Sequence, residues 1–151
     1  MAQFDFLASI VAMNAMYKLP DPGYLTTFPG EPIADRIVKF HKTMLKEVNE
    51  SNDLLTRLHA TGSRLEALVD VADLLGDIVV YCYSEAAKYG IPLDTVLAII
   101  MRSNETKLGT DGKPIYDENG KFCKGPNFVP PEPEIRKLFE ALFALKVQNA
   151  D

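Results

Sequence analysis

Glu66-Ala67-Leu68-Val69-Asp70-Val71-Ala72-Asp73-Leu74-Leu75-Gly76-Asp77-Ile78-Val79-Val80-Tyr81 is the stretch whose reading decides the fold. It reads as an α-helix. Wound at about 100° per residue, it sets Glu66, Asp70, Asp73 and Asp77 in one stripe roughly 60° wide. Leu65, Leu68, Val69, Val71, Leu74, Leu75, Ile78, Val79 and Val80 occupy most of the remaining surface, the composition of a buried helix. Carboxylates along a buried helix cannot all stay charged without cations beside them. On an ordinary amphipathic helix the same four acids would be a solvated face. No Lys or Arg interleaves them, and like charges at helical neighbour spacing repel mildly. The stripe alone leaves both readings open.

Working outward, Thr61-Gly62-Ser63 breaks the chain just before this helix. Ser63 with Glu66 three residues later fits a capping box, which gives Glu66 a local structural task. The helix runs to about Tyr89, with Gly90 as its C′ residue. Upstream, a long helix spans about Ile33 to His59, with Ile37, Phe40, Met44, Val48, Leu55 and Leu58 as its expected buried face. Glu47 falls within the edge of that apolar arc and Glu50 one step beyond it. A first amphipathic helix covers residues 4 to 17, stopped by the Pro20-Asp21-Pro22-Gly23 region, and a loop through Pro29-Gly30-Glu31-Pro32 leads into the second.

Downstream, a fourth helix begins near Pro92 and carries Val96, Leu97, Ile99, Ile100 and Met101. The texture then turns loop-rich. Asp117-Glu118-Asn119-Gly120 between Ile115-Tyr116 and Lys121-Phe122-Cys123 signals a β-hairpin. Val129-Pro130-Pro131-Glu132-Pro133 leads into a last helix from about Glu134 to Val147. These elements predict an all-α antiparallel bundle of about five helices with one small hairpin, in a single domain over residues 1–151.

Bulk properties narrow the function. The chain has 151 residues, 47% apolar and 25% charged, ordinary for a soluble globular protein. A net charge of −5 argues against general nucleic-acid binding, which needs clustered Lys and Arg. A polyphosphate ligand would need metal ions or a local basic patch. No apolar run approaches a membrane span and the N-terminus lacks a basic signal-peptide region, so the expected location is cytoplasmic. Cys82 and Cys123 form neither a zinc pattern nor a disulfide framework and read as small apolar side chains.

Two helices therefore carry acids near apolar faces: Glu47 and Glu50 on the second, and Asp70, Asp73 and Asp77 on the third. A short connection packs consecutive helices antiparallel. Counting from Gly62, Glu50 lies about as far back as Asp73 and Asp77 lie forward, so the two sets face each other. Carboxylate oxygens are the donors that Mg²⁺ or Mn²⁺ prefers. The two histidines, His41 and His59, read as helix-surface residues, which disfavours zinc or di-iron.

Leu45-Lys46-Glu47-Val48-Asn49-Glu50 resembles the Glu-Glu-x-x-Glu motif of the all-α nucleoside triphosphate pyrophosphohydrolases, the MazG-like and phosphoribosyl-ATP pyrophosphohydrolase superfamily. Leu75-Gly76-Asp77-Ile78-Val79-Val80-Tyr81, followed by Tyr89-Gly90-Ile91, resembles its second motif, Glu-x-x-Asp with an apolar run and a Gly-Ile. Met101-Arg102-Ser103-Asn104-Glu105-Thr106-Lys107-Leu108-Gly109 is similar to the tail of phosphoribosyl-ATP pyrophosphohydrolase-like members. So are Asp111-Gly112-Lys113-Pro114 and the segment from Gly120 through Lys121-Phe122-Cys123-Lys124-Gly125-Pro126 to Phe128. Together these motifs cover roughly residues 10 to 130. Two positions depart from the pattern. Lys46 stands where the first Glu belongs, and Leu74 stands three before Asp77, with Asp73 one place earlier on the same face.

The resemblance implies Mg²⁺-dependent hydrolysis (Mn²⁺ as an alternative ion) of a nucleoside triphosphate to monophosphate and pyrophosphate. Glu47, Glu50, Asp73 and Asp77, with Asp70, would hold the metal. Glu47 or Glu50 would be the general base. Asn104 and Lys107 would contact phosphate or sugar, and Lys107, Lys121 and Lys124 would supply local positive charge. It also implies a homodimer or homotetramer, with no nucleic-acid or membrane partner. Two other readings stand beside it: a phosphoribosyl-ATP pyrophosphohydrolase of histidine synthesis, and a non-catalytic helical protein whose acids bind a cation or another protein.

Overall fold

The computed structural model describes residues 5–19 and 33–148, without the side chains of Leu58, His59, Thr61, Lys146 and Val147. The expected turn at Pro20–Gly23, the loop at Pro29–Pro32 and the side chain of His59 lie outside the described residues. The chain is all-α with one small hairpin. Its elements are α1 (Phe6–Met16), α2 (Ile33–Thr61), α3 (Arg64–Lys88), α4 (Leu93–Glu105), β1 (Ile115–Tyr116), β2 (Phe122–Cys123) and α5 (Glu132–Gln148). None of the described helices is long and apolar enough to cross a membrane. The chain divides into two compact units, 1–91 and 92–151.

In the first unit α3 packs on both α1 and α2. The caps explain where the helices begin and end. The Asp5 carboxylate accepts a hydrogen bond from the Ala8 amide (2.9 Å), and the Ser63 hydroxyl accepts one from the Glu66 amide (3.4 Å). At its C-terminal end α3 closes as the sequence implies. Gly90 takes a φ of 67°, while the Ile91 and Gly90 amides donate back to the Ala86 and Ala87 carbonyls. The end of α1 uses the same hydrogen bonds without glycine. Lys18 sits at a φ of 54°, with the Leu19 and Lys18 amides donating to the Asn14 and Ala15 carbonyls. So α1 stops before its prolines.

Two faces differ from expectation. On α2 the packed stripe is Arg36, Phe40, Met44, Glu47 and Leu54, whereas Ile37, Val48 and Leu55 are each more than half exposed. On α3 the stripe facing α2 is packed, but Leu65, Leu68, Val69 and Leu75 are more than half exposed. The sequence marks α3 as buried all round; within one chain it is buried on one side only. Apolar periodicity identifies residues that prefer cover, without saying which neighbour supplies it. The interior is accordingly sparse. Among described residues the buried apolar side chains are Ile10, Leu54, Ala86 and Ile99, against five buried polar ones, Asn14, Arg36, Glu47, Ser84 and Ser103.

Those polar groups are paired. The Asn14 amide donates to the Ser84 carbonyl (3.1 Å) and the Ser84 hydroxyl donates back to the Asn14 oxygen (2.8 Å), fixing α1 against α3. Arg36 on α2 donates three hydrogen bonds to Glu85 on α3, at 3.1, 3.0 and 2.8 Å, and Lys88 adds a fourth at 3.0 Å.

In the second unit α4 and α5 are in contact. The hairpin pairs Ile115 with Cys123 and Tyr116 with Phe122. Its turn is built by Asp117, whose carboxylate accepts from the Asn119 and Lys121 amides at 2.9 and 2.8 Å, and by Gly120 at a φ of 75°. The returning strand leads to Gly125, whose amide donates to the Lys107 carbonyl just past α4 (2.8 Å). The Ser103 hydroxyl on α4 donates to the Val129 carbonyl (2.7 Å), and Arg102 pairs with Glu134 of α5 (2.6 Å).

Candidate functional site

Gly62, at a φ of 60°, and the Ser63 cap turn α2 back along α3. Their packing brings Glu47 opposite the middle of α3. Glu47 is only 3% exposed, an unusual position for a carboxylate, and across the interface it lies near the Tyr81 hydroxyl. The phenol of Tyr81 is held above its ordinary range by burial first, then by the Glu47 and Asp77 carboxylates beside it. Glu47, Asp77 and Tyr81 thus form one electrostatic group spanning the two helices. The sequence reading brings Glu47 and Asp77 together and omits Tyr81, which lies in an apolar run. Its signal was the i, i+4 spacing from Asp77.

Lys46 lies on the outer side of this group. Its ammonium is 3.2 Å from Glu50 and 3.8 Å from Glu47, and the Glu50 hydrogen bond and charge, then Glu47, raise its pKa. Further along the acid stripe, Asp70 is part-buried and pairs with Arg57 at 3.5 Å, while Asp73 and Asp77 are exposed. The Glu66 side chain is exposed too, with its backbone amide at the Ser63 cap. The stripe runs between the face packed on α2 and the open apolar face of α3. His41 is exposed, as expected. Among the described residues no three His, Cys, Asp or Glu side chains are grouped closely enough to hold a metal ion. In kind, the donors suit a hard divalent cation, being carboxylate oxygens throughout.

A pocket of about 520 Å³ opens among the three helices of the first unit. Asp77 and Tyr81 lie on its α3 wall, followed at the same helical spacing by Glu85. Phe40 and Thr43 of α2 line the opposite side, Met13 and Tyr17 close it from α1, and Arg36, Lys39 and Lys88 bring positive charge to it. Burial pushes the Glu85 carboxyl up, but the hydrogen bonds from Arg36 and Lys88 outweigh it and hold the group below the usual carboxylate range. The Arg36–Glu85 pair joins residues 49 apart and has no local sequence signal.

In the second unit the structure brings Lys107 and Lys124 together. Their ammonium groups lie 5.9 and 4.4 Å from the centre of the Phe128 ring, within cation–π range. Asn104 is half-buried at the end of α4, its carbonyl accepting the Lys107 amide at 3.1 Å. Lys121 is exposed in the hairpin turn.

No family model and no curated protein sequence matches the chain. Among solved structures it is similar to a candidate NTP pyrophosphohydrolase from Exiguobacterium sp. 255-15, with a TM-score of 0.52 at 18% identity. The match covers 95% of this chain and 99% of that one, so the two share a fold along nearly their whole length.

Proposed function

We propose that the protein is a Mg²⁺-dependent nucleoside triphosphate pyrophosphohydrolase, releasing pyrophosphate and a monophosphate. The observation that carries this reading is the buried Glu47 of α2 facing Asp77 of α3 where Asp77 lines a nucleotide-sized pocket. The fold shared with a candidate NTP pyrophosphohydrolase supports it.

Glu47, Glu50, Asp73 and Asp77, with Asp70 once freed from Arg57, would hold the ion, Mg²⁺ or Mn²⁺. Bound there, the ion supplies charge neutralisation at the phosphate oxygens and a more acidic water. Water attacks the anhydride between the first and second phosphates, its proton passes to Glu47 or Glu50, and pyrophosphate leaves. The Tyr81 hydroxyl, close to Glu47, is placed to orient that carboxylate. The enzyme works in the cytoplasm as a homodimer or homotetramer, in which a second copy covers the open apolar faces of α2 and α3. Ala72 and Gly76 allow close approach on α3; a Cβ added at Gly76 meets nothing within 4 Å. A two-fold axis lets such a face pack against itself.

The test is a nucleotide panel assayed for pyrophosphate with and without Mg²⁺ or Mn²⁺, beside the double variant Glu50→Gln, Asp77→Asn. Metal-dependent release above the variant on at least one nucleotide is expected; none on any nucleotide overturns the enzyme. The Lys46 ion pairs favour one other reading, a non-catalytic cation-binding protein, and the same panel separates the two.

A further inference from the structure

The pocket among α1, α2 and α3 is electrically lopsided along its length. Asp77 marks one end of its α3 wall, and Glu85 and Lys88 mark the other. Eight residues of helix, about 12 Å, separate Asp77 from Glu85. Of the described residues lining the far end, Arg36, Lys39 and Lys88 are cations and Glu85 is a carboxylate. Burial pushes the Glu85 carboxyl up, but the hydrogen bonds from Arg36 and Lys88 outweigh it, so Glu85 stays ionised. Its single negative charge is divided between two cations. The Arg36, Glu85 and Lys88 side chains are 6%, 12% and 15% exposed, so solvent screens this cluster little.

The donors are fixed in advance. Three hydrogen bonds to Glu85 hold the Arg36 guanidinium, which also lies 5.8 Å from the centre of the Tyr89 ring. An ammonium group carries three N–H donors, of which Lys88 gives one to Glu85 at 3.0 Å. Between the charged ends the lining is apolar and aromatic, with Met13 and Tyr17 from α1 and Phe40 from α2. A cavity of about 520 Å³ with an apolar middle and polar groups converging at one end has the form of a small-molecule site. The chain as a whole carries −5 and repels anions, so attraction for one must be local, as it is here.

We propose that this pocket binds an aromatic organophosphate without metal, its phosphate at the Arg36–Lys88 end and its ring against Phe40 and Tyr17. The proposal goes beyond the hydrolase reading and needs neither an ion nor the glutamates of α2. Phosphate suits the cationic end better than carboxylate does. A phosphate monoester offers three acceptor oxygens and nearly two negative charges to the guanidinium and ammonium donors, against two oxygens and one charge. A flat ring gains contact area and stacking from aromatic walls.

The experiment is isothermal titration calorimetry of the full chain with EDTA throughout. Its probes are the 5′-monophosphates of the four common nucleosides, the matching nucleosides, and inorganic phosphate. At least one monophosphate should bind, about tenfold or more tighter than its nucleoside and tighter than inorganic phosphate. Lys88→Gln should weaken it about tenfold, the effect of one charge-assisted hydrogen bond, and Lys88→Arg should restore most of the loss. Glu85→Gln, which removes the competing carboxylate, should tighten binding, a direction that mere structural damage would not produce. Circular dichroism checks folding, and if Glu85→Gln fails to fold the Lys88 series decides. Tyr17→Ala should weaken the nucleotide and leave inorganic phosphate unchanged, while Lys42→Gln, outside the pocket, should alter neither. No metal-free binding of any monophosphate overturns the proposal, as does a nucleoside that binds as tightly as its monophosphate, or an affinity unmoved by Lys88→Gln. Binding that appears only with Mg²⁺ also overturns it and leaves the hydrolase standing. Metal-free binding without pyrophosphate release from any nucleotide keeps the pocket and removes the hydrolase.

Discussion

Removing Glu85 should cost the protein more stability than removing the arginine it holds. Arg36 and Glu85 have side chains only 6% and 12% exposed, so solvent screens their pairing little. Deleting one member of a buried pair typically costs about 3–5 kcal/mol, because the other is left charged and uncompensated. The structure makes the two deletions unequal. Glu85→Leu strips the carboxylate from Arg36 and from Lys88 together, leaving two neighbouring cations, and should cost about 4 kcal/mol. Arg36→Met leaves Glu85 still bonded to Lys88 at 3.0 Å, which brings the loss down to about 2 kcal/mol. The double variant should lie well short of the sum, since apolar side chains of similar size can replace a buried ion pair at little cost. Urea unfolding of the four proteins reads these differences directly. By calorimetry, Glu85→Leu should lower Tm by about 10 °C for a chain of this length. A Glu85→Leu loss below about 1 kcal/mol would refute the reasoning, as would a larger loss for Arg36→Met.

Four other outcomes follow from single features. The folded pKa of Glu85 lies below its unfolded value, so at low pH the unfolded chain binds more protons. Its stabilisation is therefore complete above the ordinary carboxylate range and drains as pH falls through the lowered pKa; Glu85→Gln should flatten this part of a pH series of urea midpoints. Lys18→Gly should raise stability by about 0.5–1 kcal/mol by relieving the left-handed backbone at the end of α1, measured in the same way. Gly125→Ala should cost about 2 kcal/mol, because the new methyl would collide with the Leu108 and Lys107 carbonyls; hydrogen exchange of the Gly125 amide should accelerate. Leu75→Glu, on the open face of α3, should reduce the mass seen by light scattering to that of one 16.8 kDa chain.

The parts of the fold legible in the sequence were those set by local chemistry. Ser63, Gly90 and the Asp117–Gly120 turn act on their own neighbours, so the ends of α3 and the hairpin are visible in a few residues. That α2 packs back along α3 could be read from the short connection at Gly62. Which arc of α2 packs could not be read this way. Ile37, Val48 and Leu55 are as apolar as Phe40, Met44 and Leu54, and only the partner distinguishes them. Arg36 escaped for the complementary reason. An arginine in the buried stripe makes sense only with Glu85 opposite it, on another helix. Tyr81 was hidden by its apolar surroundings, which disguise a hydroxyl lying near two carboxylates.

The sparse interior has a calorimetric consequence. Unfolding raises heat capacity chiefly by wetting apolar surface, usually by about 12–15 cal/mol/K per residue. With only Ile10, Leu54, Ala86 and Ile99 buried among the apolar described residues, and broad apolar arcs of α2 and α3 already open, a lone chain has less left to wet. Its increment should fall short of that value, giving a flat stability curve with weak dependence on temperature near its maximum. Covering those arcs with a second copy would restore the increment and sharpen the curve. Dilution would then change the shape of the melting endotherm as well as its position.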